Sequence, residues 1–204
     1  MSEFTHLEET TAARHVIYRG RIVTLRRDDA LLPNGKPCLR EVVDHPGGVY
    51  IVALTDENEL LLVRQFRYPY GEVLLELPAG KLDAGEAPLA AGQRELLEET
   101  GALAGSWEDL GLFYPTPGYC AEKIYTYLAR ELRFEAPKPD EDEFLECERV
   151  PLAEAVRMVM AGELSDGKTQ AGVLKALFRN QESGDRNQGM HEPGGCPPEP
   201  PLRL

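Results

Sequence analysis

Four glutamates stand in fixed relation within the stretch AGKLDAGEAPLAAGQRELLEETGA, residues 79–102: Glu86, then Glu95, Glu98 and Glu99. Pro88 suits a first helical turn, where its missing N–H costs nothing, and Gly101 suits the position just past a helix end. A helix over 88–100 puts Glu95 and Glu99 one turn apart, with Glu98 on the same face. Like charges at that spacing destabilise an isolated helix by roughly 0.2–0.5 kcal/mol per pair. A divalent cation is the simplest group to offset the repulsion. Hard oxygen donors suit Mg²⁺, which also takes phosphate oxygens into its shell. Leu89, Gln93, Leu96 and Leu97 are expected largely on the other side of the helix from the carboxylates. A merely solvated acidic face would leave the placement of the flanking glycines unexplained.

The same stretch resembles the Nudix box, G-x5-E-x7-R-E-U-x-E-E-x-G-U, where U is a bulky apolar residue. Gly80, Glu86, Arg94, Glu95, Leu96, Glu98, Glu99 and Gly101 fall on their required positions, and Ala102 departs from the last one. The resemblance implies hydrolysis of a phosphoanhydride with Mg²⁺ or Mn²⁺ held by Glu95, Glu98, Glu99 and the backbone carbonyl of Ala79. Arg94 is expected to pair with a box carboxylate and hold the loop to the helix. Glu86 is either a metal ligand or a structural partner. In the ADP-ribose pyrophosphatase branch of the family, the general base comes from an acidic loop after the box. The matching loop here is Asp140-Glu141-Asp142-Glu143. Glu141 is assigned as base and Glu143 as metal-facing, with their order left open. In an extended segment the two would share one side.

Substrate choice lies outside the box. Family members that prefer ADP-ribose carry a proline beyond the box, and Pro117 stands there in TPGYCAEKIY. By the same resemblance Gly118 belongs to the substrate loop and Glu122 would face the terminal ribose. VRQFRYPYGEVLLELPAG also matches the branch, making Arg67 a diphosphate contact and Lys81 a further substrate contact. A guanidinium fits phosphate oxygens better than an ammonium does. Arg40 and Glu41 match an Arg-Glu pair near the nucleoside. Tyr18 and Arg19 would reach adenine from a partner subunit. The implied reaction splits ADP-ribose into AMP and ribose 5-phosphate. The alternative substrate is another nucleoside diphosphate sugar such as GDP-mannose. A non-catalytic ADP-ribose sensor is the reading from a different class, and retention of Glu95, Glu98 and Glu99 speaks against it.

The elements that must position these residues read as α/β, and the resemblance sharpens this to a Nudix α-β-α sandwich with a small N-terminal antiparallel β-sheet. Residues 1–13 read as a flexible leader. Residues 14–45 carry three strands, around HVIYRGRIVTLRRDD and at Cys38–Asp44, with a turn at Asn34-Gly35. Three strands bury too little apolar surface to stand alone. In the resembled branch such a sheet is exchanged between subunits, implying a homodimer. Residues 46–180 form the catalytic domain, with strands at 49–54, 59–66, 73–77, 110–114, 123–129 and 144–150 and helices at 151–161 and 168–179. Residues 181–204, rich in proline and glycine, are expected to be disordered.

Composition narrows the class. A chain of 204 residues with 42% hydrophobic and 28% charged residues suits one soluble domain with an appendage. The net charge of −13 argues against nucleic acid or an anionic membrane as partner. No apolar run approaches the ~20 residues that span a bilayer. The acidic start does not read as a signal peptide. Cys38, Cys120, Cys147 and Cys196 lack metal-binding spacing and read as reduced thiols of a cytoplasmic protein.

Overall fold

The computed structural model describes residues 3–136 and 144–188. Its organising strand is β4 (Gly48–Ala53), every residue of which is buried. Side chains alternate across a strand, so β4 serves two cores at once. Tyr50 and Val52 join one apolar cluster with Leu60, Leu62, Leu77 and Val173. Val49, Ile51 and Ala53 join the other with Leu61, Ala91 and Leu96. A strand covered on both faces reads as a continuous apolar run, as GVYIVA does. Each large side chain so buried contributes roughly 1.5–3 kcal/mol.

Around β4 lies a mixed sheet of order β7-β4-β9-β8, formed with β7 (Ala79–Lys81), β8 (Ala102–Phe113) and β9 (Ile124–Phe134). β9 runs parallel to β4, with Gly48 opposite Ile124, while β7 pairs antiparallel, with Tyr50 opposite Ala79. A second sheet of order β10-β5-β6 combines β5 (Glu59–Arg67), β6 (Glu72–Glu76) and β10 (Leu145–Pro151). The helix α1 (Pro88–Thr100) packs on the Val49–Ala53 face of β4, and α3 (Gly167–Gln188) packs on the Tyr50–Val52 face. The short α2 (Leu152–Ala161) packs against α3. The arrangement is the expected α-β-α sandwich.

The helix α1 forms where the sequence places it. Pro88 opens it, and Gly101 closes it in the left-handed region at φ 69°, its N–H donating to the Leu97 carbonyl. Leu89 and Gln93 lie away from the carboxylates as expected, but that side is the exposed one, and Leu96 shares the buried face. Glu95 and Glu99 are buried together with Leu96, whereas Leu89 and Gln93 are exposed. Glu95 and Glu99 therefore face inward.

The N-terminal sheet, β1 (Thr10–Arg19), β2 (Thr24–Leu31) and β3 (Pro37–Asp44), is antiparallel in sequential order. It begins inside the expected leader, since Thr10 and Thr11 already pair with Leu31 and Ala30. Val16, Ile17, Tyr18 and Leu39 are exposed on it. The sheet is fastened to the main domain by backbone bonds on either side of Cys120: Val43 N–H donates to Tyr119 O at 2.9 Å, and Ala121 N–H donates to Val43 O at 2.9 Å. Two further boundaries differ. β8 starts directly after α1, well before residue 110, and α3 continues through residues 181–188, which were expected to be disordered. Among the described residues no helix is long and apolar enough to cross a membrane.

Candidate active site

The site begins where β7 turns into the loop before α1. Ala79 N–H donates to Glu99 Oε2 at 3.1 Å, tying the strand to a carboxylate near the helix end. Gly80 is required by proximity: a Cβ built there would fall inside the Glu95 carboxylate. Glu95 is 7% exposed and Glu99 3% exposed. A buried carboxylate is costly unless paired and hydrogen-bonded.

Arg94 provides much of that pairing. Its Nε and Nη2 each donate to Glu86 at 3.0 Å, and its Nη1 donates to Glu95 Oε1 at 2.8 Å and Glu98 Oε2 at 2.9 Å. Nη2 also reaches the carbonyl of Lys81 at 3.2 Å. The Glu86 carboxylate accepts from Asp83 N–H at 3.0 Å as well. In this arrangement Glu86 is a structural partner of Arg94. The hydrogen bonds from Arg94 hold the Glu86 carboxyl below its usual range, and Glu86 in turn raises Arg94 above its own. Guanidinium and carboxylates thus form a knot joining the loop to the helix, the role expected of Arg94.

The donor set is all oxygen, and it fits a hard divalent ion. Glu95, Glu98, Glu99 and the Ala79 carbonyl are the residues here that could hold one. Among the described residues no group of three acidic, histidine or cysteine side chains converges as a ready metal site. Glu95 and Glu98 instead turn towards Arg94.

An open cleft of about 1290 Å³ runs past this knot. Arg67, Ala79, Lys81, Glu95, Glu98 and Glu122 all line it. Glu122 Oε1 lies 3.3 Å from His45 Nδ1. Pro117 and Gly118 are exposed and lie outside the cleft lining. Arg40 is also outside it, paired with Glu9 at 2.5 and 2.8 Å, and Glu41 is exposed beside it. Tyr18 and Arg19 are exposed, while their neighbours Arg21 and Ile22 reach the cleft of the same chain. Glu141 and Glu143 lie outside the described residues. Sequence reasoning missed His45, Glu76 and Lys168, which also line the cleft. Glu76 had a legible signal, a carboxylate closing the apolar strand EVLLE just before Pro78.

A NUDIX domain model matches residues 44–171, well over half of the chain. The chain belongs to the Nudix family. The model of the nucleoside diphosphate sugar hydrolase N-terminal domain matches residues 9–43, the three-stranded sheet. This Nudix chain is 43% identical over 165 residues to the ADP-ribose pyrophosphatase of Bacillus subtilis, covering 80% of this chain and 89% of the relative. It is 40% identical over 168 residues to the methanol dehydrogenase activator of Bacillus methanolicus, covering 81% and 91%. Among solved structures, a crystal structure of an ADP compounds hydrolase matches with a TM-score of 0.74 at 25% identity, covering 87% of this chain and 96% of that one. The fold is the Nudix fold, and the chain is a Nudix hydrolase.

Gly80 offers a direct test of the Nudix site. In Gly80→Ala the added methyl pushes the Glu95 carboxylate out of its place beside Arg94. Hydrolysis should fall by roughly 100-fold or more, the scale of a misplaced catalytic group. The melting temperature should fall as well, because a displaced Glu95 loses its Arg94 partner while still largely buried, and kinetics beside thermal melts would check both.

Proposed function

We propose that the chain hydrolyses the diphosphate bond of ADP-ribose, giving AMP and ribose 5-phosphate. The observation that carries the substrate is the similarity to the Bacillus subtilis ADP-ribose pyrophosphatase over most of both chains. The cleft's charge pattern supports it, since carboxylates of α1 and the guanidinium of Arg67 line the same cleft. Mg²⁺ or Mn²⁺ is the proposed cofactor. When bound, such an ion neutralises the diphosphate and lowers the pKa of an attacking water. Glu95, Glu98, Glu99 and the Ala79 carbonyl would hold it, with Glu143 in support.

The remaining work falls to the chain's own groups. Arg67 and Lys81 orient the diphosphate, and Glu122 takes hydroxyls of the terminal ribose. Water adds to one phosphorus, the bridging P–O bond breaks, and the departing phosphate keeps the bridge oxygen. The water's proton passes to a carboxylate of the Glu141–Glu143 loop. Pro117 and Gly118 shape the loop beside Glu122. A homodimer is also proposed, since the apolar residues exposed on β1 need cover. In it Tyr18 and Arg19, with Arg40 and Glu41, would reach the partner's nucleoside. A reducing, cytoplasmic setting suits the free thiols Cys38, Cys120 and Cys147.

A hydrolysis screen with Mg²⁺ over ADP-ribose, GDP-mannose, NADH and diadenosine polyphosphates should give the highest kcat/KM on ADP-ribose. Failure on ADP-ribose beside fast turnover of another compound would sink the substrate reading. For the base, Glu141→Gln and Glu143→Gln should both lose turnover, and only the lost metal-facing group should be rescued by added Mg²⁺. Rescue of both variants would remove the base from this loop. Sedimentation should give a dimer that Ile17→Asp drives towards monomer, and a monomeric wild type would contradict the assembly.

A further inference from the structure

Beyond the carboxylates of α1, the cleft contains a second charged assembly that joins the β5–β6 hairpin to the start of α3, far along the chain. At its centre is Glu76, the last residue of β6, only 2% exposed. Its Oε2 accepts from Arg67 Nε at 2.5 Å, and its Oε1 accepts from Lys168 Nζ at 3.0 Å. Lys168 also donates to Asp166 Oδ1 at 2.8 Å. Asp166 caps α3 by accepting from the Thr169 N–H at 2.8 Å and its hydroxyl at 2.6 Å. The fully buried Thr169 hydroxyl in turn accepts from Leu77 N–H at 2.9 Å, locking the start of α3 to the end of β6. Burial works to raise the Asp166 carboxyl, but Lys168 and Thr169 outweigh it and hold the group below its usual range.

The donor count separates a site from a strut. An ammonium has three donors and a guanidinium five. Among the described residues Lys168 spends two, on Glu76 and Asp166, and the Arg67 side chain spends only Nε. Both residues line the cleft that also runs past Glu95 and Glu98. One buried carboxylate therefore fixes two cations side by side, each with donors left over, in the cleft that the proposed metal ligands also line. Neutralising Glu76 alone would need one cation, and that one could be fully buried. The geometry suits a diphosphate, whose oxygens need donors on the side not taken by metal.

We propose that Lys168, aligned with Arg67 by the buried Glu76 carboxylate, contacts phosphate oxygens of the nucleoside diphosphate substrate, with Glu76 as the positioning residue. This rests on reading the cleft as a nucleoside diphosphate hydrolase site. Lys168 fixes the diphosphate as a point charge, and Arg67 adds directional donors.

The test uses the full chain with Mg²⁺ and α,β-methylene ADP, whose P–C–P bridge cannot be hydrolysed. Lys168→Gln should weaken calorimetric binding of this analogue, and raise KM for ADP-ribose, by roughly 10- to 100-fold, with kcat changed far less. Lys168→Arg should recover most of the loss, and Glu76→Gln should weaken binding without touching the ligand. In the wild type, the analogue should protect Lys168 from reductive methylation, read by peptide mass spectrometry; this arm needs no variant to fold. Affinity within about twofold of wild type in Lys168→Gln would make Lys168 a strut and overturn the inference, as would equal labelling with and without analogue. Wild type that binds the analogue but hydrolyses no nucleoside diphosphate compound would defeat the proposed reaction alone. Wild type that fails to bind it would defeat both.

Discussion

The carboxylates of α1 can be gathered and buried because Arg94 sits among them. Without it, Glu86, Glu95 and Glu98 would repel one another at the edge of an apolar core, and burial would magnify the repulsion. The guanidinium answers with planar donors at fixed angles, which an ammonium could not reproduce. Several features follow from this. The loop from Gly80 to Glu86 is held against the helix, β7 is drawn onto β4, and Ala79 comes to rest on Glu99. Gly80 is then the residue type that leaves the Glu95 carboxylate room. The box motif is in this sense a packing solution in its own right.

Much of this was legible in the sequence because the signals were local. Pro88 and Gly101 bracket α1, and the runs VYIVAL and ELLLVRQF carry the apolar pattern of buried strands. What escaped was whatever depended on partners distant in the chain. AGK has no strand pattern of its own, and it becomes β7 only because β4 offers an edge. Most of β8, ALAGSWEDL, is glycine-bearing and largely exposed, so alternation there is weak; β9 makes it a strand. The burial of Glu95 and Glu99 escaped because helical spacing gives which residues share a face but not which face meets the core. Arg94 and the Ala79 N–H provide the partners that let Glu95 and Glu99 turn inward.

The substrate side shows the same division. Arg67 and Glu122 line the cleft as their motifs suggest, but Glu76 and Lys168 meet from distant parts of the chain. No spacing rule announces such a pair. The N-terminal residues Tyr18, Arg19, Arg40 and Glu41 stand away from the cleft of their own chain. Arg21 and Ile22 at the tip of the β1–β2 hairpin do reach it. The backbone bonds from Val43 to Tyr119 and Ala121 make the small sheet continuous with the loop carrying Pro117.

The parallel pairing of β4 with β9 has a further consequence, for the order of assembly. β4 emerges early in synthesis, yet its partner on that edge emerges only after the whole box helix. Pairings between strands so distant in sequence carry a loop-closure cost that is met before any contact repays it, and they form slowly. Until β9 docks, β4 presents an unpaired apolar edge, the kind of surface through which nascent chains associate. The helix α1 carries local structure of its own and can cover one face in the meantime. The element that carries Glu95, Glu98 and Glu99 is therefore also the first available shield for the central strand.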